Sequence, residues 1–378
     1  MRIGIDVRYA LHTRRGIGNY VLNLIHNLAA IDSCNNYLLY SDIKDKDEAL
    51  PQQKNFEFIQ ISLGNNQKDI NQTKSKLFAL WEQVLLPQQA KRDKIDILHC
   101  PGNTAPLFLD RSIKLIITLH DVMFLLPQSV LPQAQSLYSS IFRLYCGWLL
   151  PIISENSCAI ITVSNYSKAD IIKYLNIESE IIHVIYEGIE SKFQIRAVDN
   201  TASKFILAFG GHEIRKNCKR IVDAFAKFTK NNTTHLLVLC GVKDDYKLFI
   251  KKYANSKNIQ NRIKLLPYVS DEELILLYNT ADVVFYPSLY EGFGFPVLES
   301  MACGTPVIAS NTTSIPEIAR DAAILVNPLN VDEMANALHK IVTNQELRET
   351  LLQKSKQRVL EFSWKKNAEE TMNLYKNL

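Results

Sequence analysis

The residue types best suited to chemistry lie in the carboxyl-terminal half of the chain. Glu291 and Glu299 bracket the run Glu291-Gly292-Phe293-Gly294-Phe295-Pro296-Val297-Leu298-Glu299, with seven residues between them. The run follows an apolar strand-like segment, Val283–Tyr286, and leads into a helical pattern. Gly292 and Gly294 let the backbone approach a ligand closely. Pro296 suits a first helical turn, where its missing N–H costs little. Such a helix start directs N–H groups and a positive dipole end at an anion, and a diphosphate fits. A carboxylate accepts paired hydroxyls, so Glu291 in the loop and Glu299 one turn into the helix suit a sugar or a ribose.

Three further segments carry candidate chemistry. Gly210-Gly211-His212-Glu213-Ile214-Arg215-Lys216-Asn217 follows the strand-like Phe205–Phe209. Its paired glycines are expected to bend the chain and deliver Arg215 and Lys216 to the strand's carboxyl end. There Arg grips two phosphate oxygens and Lys supplies a point charge. His120-Asp121 ends another apolar strand. His120 would hydrogen-bond a donor hydroxyl, with Asp121 orienting it. Arg14-Arg15-Gly16-Ile17-Gly18-Asn19-Tyr20 links the first strand to the first helix by a long loop. It lacks the third glycine of a dinucleotide loop, because position 21 is Val, and NAD binding is not expected. No Gly-x4-Gly-Lys-Ser/Thr loop occurs, which excludes a P-loop ATPase or kinase. Asp45-Lys46-Asp47 sits in a run of alternating charges and reads as a solvated loop, so no metal site is expected.

These segments need elements to hold them. In the first half, β-rich runs at 3–7, 37–40, 56–61, 97–100, 114–119, 160–163 and 181–185 alternate with amphipathic segments. Ile17, Val21, Leu24, Ile25 and Leu28 fall on one helical face. Ser164 is placed to cap a helix over 167–175. The second half restarts the rhythm, with strands at 205–209, 236–239, 263–266, 283–286 and 306–309 and helices between and after them. Alternation of this kind makes parallel sheets covered on both faces. The expected fold is α/β, with two Rossmann-like parallel-sheet domains facing across a cleft. Residues 1–186 form the N-terminal domain and 187–361 the C-terminal domain. A helix over 362–378 packs back on the first. The polar stretch 187–203 is the linker candidate.

Composition narrows the class. The chain has 378 residues, 47% of them hydrophobic, and a net charge of +4, enough apolar content for two cores. Both halves are close to neutral, which argues against a nucleic-acid module. Seven scattered cysteines without Cys-x2-Cys spacing fit a reducing compartment, hence a cytoplasmic location. No leader peptide is expected from the strand-like start. The segments 74–86 and 136–150 mix apolar, aromatic and basic residues. They are read as core-facing helices, with peripheral contact to the inner face of a cell membrane as the alternative.

Taken in order, the segments resemble the retaining glycosyltransferases of family 4, which have the GT-B fold. The Glu291–Glu299 run is similar to that family's E-x7-E motif and 210–217 to its phosphate-binding segment. Val163-Ser164-Asn165-Tyr166-Ser167-Lys168 resembles its VSxxSK element. Pro267-Tyr268-Val269 resembles the stretch flanking the base. Gly304-Thr305-Pro306-Val307 and Phe362-Ser363-Trp364 are also familiar. The resemblance implies that Arg215 and Lys216 bind the diphosphate with Gly210 and Gly211 beside them. Glu291 takes sugar hydroxyls and Glu299 the ribose. The backbone through Gly292, Phe293, Gly294, Phe295 and Leu298 completes the phosphate cradle. Tyr268 and Val269 flank the base, His120 faces the sugar and Gly16 lines the acceptor side. It further implies hexose transfer with retention, without a metal or other cofactor. The donor would be UDP-glucose first and GDP-mannose second. The acceptor would be a glycan or lipid-linked oligosaccharide of a surface polysaccharide. The chain departs from the family at Glu187-Gly188-Ile189-Glu190, where Asn more often precedes the Gly and Asp follows the Ile. This difference is expected to concern the linker alone.

Overall fold

The computed structural model describes residues 1–13, 16–62, 76–127, 131, 137–197, 204–232 and 234–378, with the side chains at 76–77 and 137–142 left aside. The chain divides into two compact units. One comprises Met1–Leu125, Ser140–Gly188 and Ser363–Leu378; the other comprises Leu126–Ser139 and Ile189–Phe362.

The first unit is built on seven strands: β1 (Arg2–Asp6), β2 (Asn36–Ser41), β3 (Phe56–Gln60), β4 (Ile97–Cys100), β5 (Lys114–Thr118), β6 (Ala159–Thr162) and β7 (Ile182–Val184). They pair in the order β3-β2-β1-β4-β5-β6-β7, all parallel. Strands buried on both faces must be apolar throughout. Ile97, Leu98, Ile116, Ile117, Ile160 and Ile161 meet that demand. Order reverses between β1 and β4, which opens a crevice at the carboxyl ends of those strands.

The helix Ile17–Ile31 buries Tyr20, Val21, Leu24, Ile25 and Leu28, the face expected from the spacing. Ser164 caps the helix Asn165–Leu175 by accepting the Ser167 amide. The helix therefore starts two residues before the expected position. The connection after β1 holds a short helix, Arg8–His12, where a plain loop was expected. Asp45 accepts the amides of Ala49 and Leu50. It closes a turn in the loop after β2, as the solvated-loop reading supposed. The helix Trp364–Asn377 belongs to this unit. Its Tyr375 hydroxyl lies 2.6 Å from His99 Nδ1 on β4, and its Trp364 meets Tyr20 edge-on at 5.8 Å between ring centroids.

The second unit has six strands: β8 (Phe205–Phe209), β9 (Leu236–Cys240), β10 (Ile263–Leu265), β11 (Val283–Tyr286), β12 (Val307–Ser310) and β13 (Ile324–Val326). Their order is β10-β9-β8-β11-β12-β13, again all parallel. Alternate residues serve opposite faces. Ile206 and Ala208 join Phe225 and Leu237 on one side, while Phe205 and Leu207 join Tyr278 and Val284 on the other. The switch point lies between β8 and β11, the strands that precede the two strongest motifs. β13 was not anticipated; three residues carry too little periodicity to announce a strand.

Of the two segments considered for a membrane, 74–86 largely faces inward. Trp81 is buried with Nε1 donating to the Ile61 carbonyl at 3.0 Å, and Leu86 is buried, although Leu80 and Val84 are exposed. Lys74 lies outside the described residues. The helix Leu137–Asn156 buries Cys146, Leu149 and Leu150 and exposes Leu144 and Trp148. Ser136 lies outside the described residues. Among the described residues no helix is long and apolar enough to cross a membrane.

Candidate active site

In the second unit, β8 and β11 are neighbours, so the segments leaving their carboxyl ends converge. Gly210 continues the strand, its amide donating to the Cys240 carbonyl at 2.7 Å. A Cβ on Gly210 would stand 2.8 Å from Val242 Cγ2, so this glycine answers to crowding. Neither Gly210 nor Gly211 has a positive φ. The chain bends at His212, without a left-handed glycine. The turn is made at Asn217, which has φ 59° and donates from its buried side chain to the carbonyls of Pro287 and Pro328. That fastens the 214–216 turn to the loop after β11.

Arg215 and Lys216 both meet Glu291. Arg215 Nη1 lies 2.7 Å from Oε2 and Lys216 Nζ 3.0 Å from Oε1. The Tyr286 hydroxyl donates to Oε1 at 2.6 Å and the Ser288 hydroxyl at 2.7 Å. Oε1 thus takes three donors and Oε2 one, which leaves Oε2 the oxygen with accepting capacity to spare. Arg215 Nε also pairs with Glu213 at 2.7 Å. Burial pushes the Glu291 carboxyl up, but Arg215, Lys216, Tyr286 and Ser288 together outweigh it and hold the group at about 2. Burial pulls Lys216 down, reinforced by Arg215 and opposed by Glu291.

The Gly-rich run is pinned from below. Ser314 donates to the carbonyls of Glu291 and Phe293, and the Glu291 amide reaches Thr313 Oγ1 at 3.3 Å. Gly294 has φ 120° and caps the helix Phe295–Ala302, which has no side-chain cap and carries Pro296 in its first turn. A Cβ at Gly294 would also stand 2.6 Å from Ile315 Cδ1. Gly292 belongs to the same buried loop. Phe293 packs edge-on against Phe295 and Phe362, and Leu298 is fully buried. Their side chains therefore serve the core, and only their backbone is available to a ligand.

Glu299 accepts from the Tyr278 hydroxyl at 2.6 Å. Burial raises it to about 7, with Glu190 and Asp271 adding and the Tyr278 bond opposing. Glu291 is therefore ionised at neutral pH while Glu299 is balanced between its two forms. Tyr268 is half exposed, beside Gly241, where a Cβ would stand 3.7 Å from its ring. Val269 packs on the core face that holds Tyr278.

In the first unit, His120 follows β5 and is buried. All four of its polar atoms are held. Its amide donates to Asn103 Oδ1 at 2.7 Å and its carbonyl accepts from the Ser167 hydroxyl at 2.9 Å. Ring Nε2 lies 3.1 Å from the Pro101 carbonyl and Nδ1 3.1 Å from Glu187 Oε1. Asp121 instead accepts the Met123 amide. Glu187, and not Asp121, is the carboxylate on the ring. Glu187 is 2% exposed and belongs to the first unit, so the departure at this position reaches beyond the linker. Gly16 caps the helix Ile17–Ile31 with φ 49° and open space where a side chain would stand; Arg14 and Arg15 lie outside the described residues.

Sequence reasoning did not assign Glu187, Tyr286, Ser288, Ser314 or Asn217. Glu187 alone left a signal, as a charged residue where Asn is commoner. Among the described residues, no cluster of three or more His, Cys, Asp or Glu side chains is arranged to hold a metal ion.

Residues 14–193 match the domain described as Glycosyltransferase Family 4, and residues 190–358 match Glycosyl transferases group 1. The chain is 28% identical to O-antigen chain mannosyltransferase B of Escherichia coli, across 96% of each chain. Its fold is similar to that of sucrose-phosphate synthase from Thermosynechococcus elongatus, with TM-score 0.77, 19% identity and coverage of 100% of this chain and 98% of that one. It is also similar to Anabaena HepE in complex with UDP-glucose, with TM-score 0.72, 16% identity and full coverage of both chains. Two parallel α/β units, motif segments at their strand ends and the two domain matches lead to one assignment: this chain belongs to the glycosyltransferases that join a family 4 domain to a group 1 domain in the GT-B fold.

Proposed function

We propose that the chain transfers a mannosyl residue from GDP-mannose to a glycan or lipid-linked acceptor in surface-polysaccharide synthesis, with retention of anomeric configuration. The observation that carries the nucleotide-sugar reading is the cluster of Arg215, Lys216 and Glu291 at the β8/β11 switch point. The relative matched over nearly its whole length is a mannosyltransferase, which supports mannose over the UDP-glucose first expected.

Arg215 and Lys216 bind the donor's diphosphate and stabilise the negative charge that grows on it as the glycosidic bond breaks. Glu291 holds the two cations together before the donor arrives and accepts a sugar hydroxyl through Oε2. The Gly294 helix start adds its dipole, Glu299 takes the ribose hydroxyls, and His120 faces the transferred sugar. With two cations at the leaving group, the reaction runs without a metal cofactor.

Loss of one charge-assisted hydrogen bond costs about 1.5–3 kcal/mol. Arg215→Ala or Lys216→Ala should lower turnover of GDP-mannose at least about tenfold while circular dichroism and melting show a folded protein. Normal rates in both variants remove the cluster from the site. Thermal shift with GDP-mannose, UDP-glucose and their diphosphates tests the donor. Stabilisation by the UDP compounds alone reverses the choice of mannose. Transfer that is lost in EDTA and restored by Mn²⁺ overturns the metal-independent mechanism.

A further inference from the structure

Arg215 meets two carboxylates, and they are held very differently. The Glu291 side chain is 11% exposed and accepts from Arg215, Lys216, Tyr286 and Ser288. The Glu213 side chain is 43% exposed, and its Oε2 lies 2.7 Å from Arg215 Nε. Glu213 opens the 214–216 turn, yet its side chain does not cap that turn. Its backbone is the fastened part, since its carbonyl accepts the Lys216 amide at 3.0 Å. The main chain can therefore stay in place while the carboxylate turns out to water. Glu291 lacks that freedom, because its departure would break up a part-buried charge cluster.

Arg215, Lys216, Glu213 and Glu291 together carry two positive and two negative formal charges. A diphosphate meets no net attraction from a neutral cluster. Turning Glu213 away leaves Arg215 and Lys216 one positive charge in excess of Glu291. The exchange is even in kind, because one anionic oxygen replaces another on a guanidinium whose donors form a fixed fork. If Glu213 stayed, it would repel the incoming phosphates. The repulsion is stronger for the product than for the donor. A free terminal phosphate titrates near about pH 6 and so carries more negative charge at pH 8 than the same phosphate esterified to a sugar.

We propose that Glu213 is a displaceable counter-ion of Arg215: it holds the guanidinium in the empty site, gives way to the diphosphate and competes with it for Arg215. The inference rests on the reading of Arg215 as a diphosphate ligand. Glu213 is then a positioning residue that acts through Arg215 and sets how tightly diphosphates are kept. Removing a competitor strengthens binding, whereas removing a residue that only orients Arg215 weakens it. The two roles therefore differ in sign.

The test is calorimetric titration of the full chain at low salt with GDP, UDP and inorganic pyrophosphate, and with GDP-mannose and UDP-glucose. Each is measured on the unaltered protein, Glu213→Gln, Arg215→Ala and the double variant. Glu213→Ala takes the place of Glu213→Gln if melting shows that the latter is unfolded. In Glu213→Gln the nucleoside diphosphate that the unaltered protein binds should bind at least about threefold more tightly. The matching nucleotide-sugar should gain less. In Arg215→Ala that gain should vanish, since Glu213 acts through the guanidinium. Equal or weaker binding of the diphosphate in Glu213→Gln overturns the proposal. So does a gain that persists in the double variant, or one as large for the nucleotide-sugar as for the diphosphate. Loss of affinity in Arg215→Ala with no gain in Glu213→Gln sinks this inference and leaves the diphosphate site standing. Unchanged affinity in Arg215→Ala, or no binding of any of these compounds to the unaltered protein, overturns the diphosphate site and this inference together.

Discussion

Glu291 and Glu299 share a motif and differ in charge state, and the difference has measurable consequences. In the role proposed for it, Glu299 accepts two ribose hydroxyls, which requires loss of its proton. With its carboxyl at about 7, affinity for the donor nucleotide should rise from pH 6 to pH 8 and then level off. Glu299→Gln should flatten that dependence, as read by calorimetry. The stability effects have opposite signs. Glu299 binds its proton more tightly in the fold, so its contribution is complete below the ordinary 4.5 and is lost as pH rises through about 7. Glu291 is depressed, so its contribution is present above 4.5 and is lost as pH falls toward 2. The sequence made both charged motifs legible, because each follows a recognisable strand. It did not reveal that Glu291 is a direct partner of both cations, since contact between residues 76 positions apart depends on sheet order. Glu187 was hidden for the same reason: nothing local announces that a residue after β7 folds back on the ring at 120.

At the scale of elements, the site depends on a few backbone positions that tolerate no side chain. Gly294 combines φ 120° with a neighbour 2.6 Å from any added Cβ. Gly294→Ala should destabilise the second unit by about 1–3 kcal/mol, measured by denaturant unfolding, and should weaken donor binding further by moving the helix start. Most elements were readable because buried parallel strands are continuous runs of Ile, Val, Leu and Phe. The helices between them carry one apolar stripe. Where these cues run short, reading failed. Ile324–Val326 is too brief to show a period, and Arg8–His12 is a single turn without a side-chain cap at its start. The glycine at 210 was expected to serve a bend because sequence cannot separate a glycine needed for φ from one needed for room.

At the scale of the whole molecule, the first unit is discontinuous in sequence. The chain leaves it first between Leu125 and Ser140 and again at Gly188, and re-enters for the last time at Ser363. The last two passages are tightly apposed, since a Cβ on Gly188 would lie 2.1 Å from the Trp364 backbone nitrogen. The returning helix covers buried polar groups: His99 bonds Tyr375, and Asn367 donates to the Tyr186 carbonyl at 2.8 Å. A chain ending at Phe362 should therefore lose amide-exchange protection in β4 and in the helix Ile17–Ile31 while β8 to β13 keep theirs. Hydrogen-exchange mass spectrometry reads both outcomes in one sample.

That re-entry also imposes an order of events on biosynthesis. Residues 1–188 leave the ribosome early, yet the helix that seals their sheet is made after β8 to β13. The nascent first unit must wait with His99 and Tyr20 uncovered while the second completes its own core. A chaperone that binds this protein during translation would then act on the older part of the chain, and would be released only as the last turns of helix emerge.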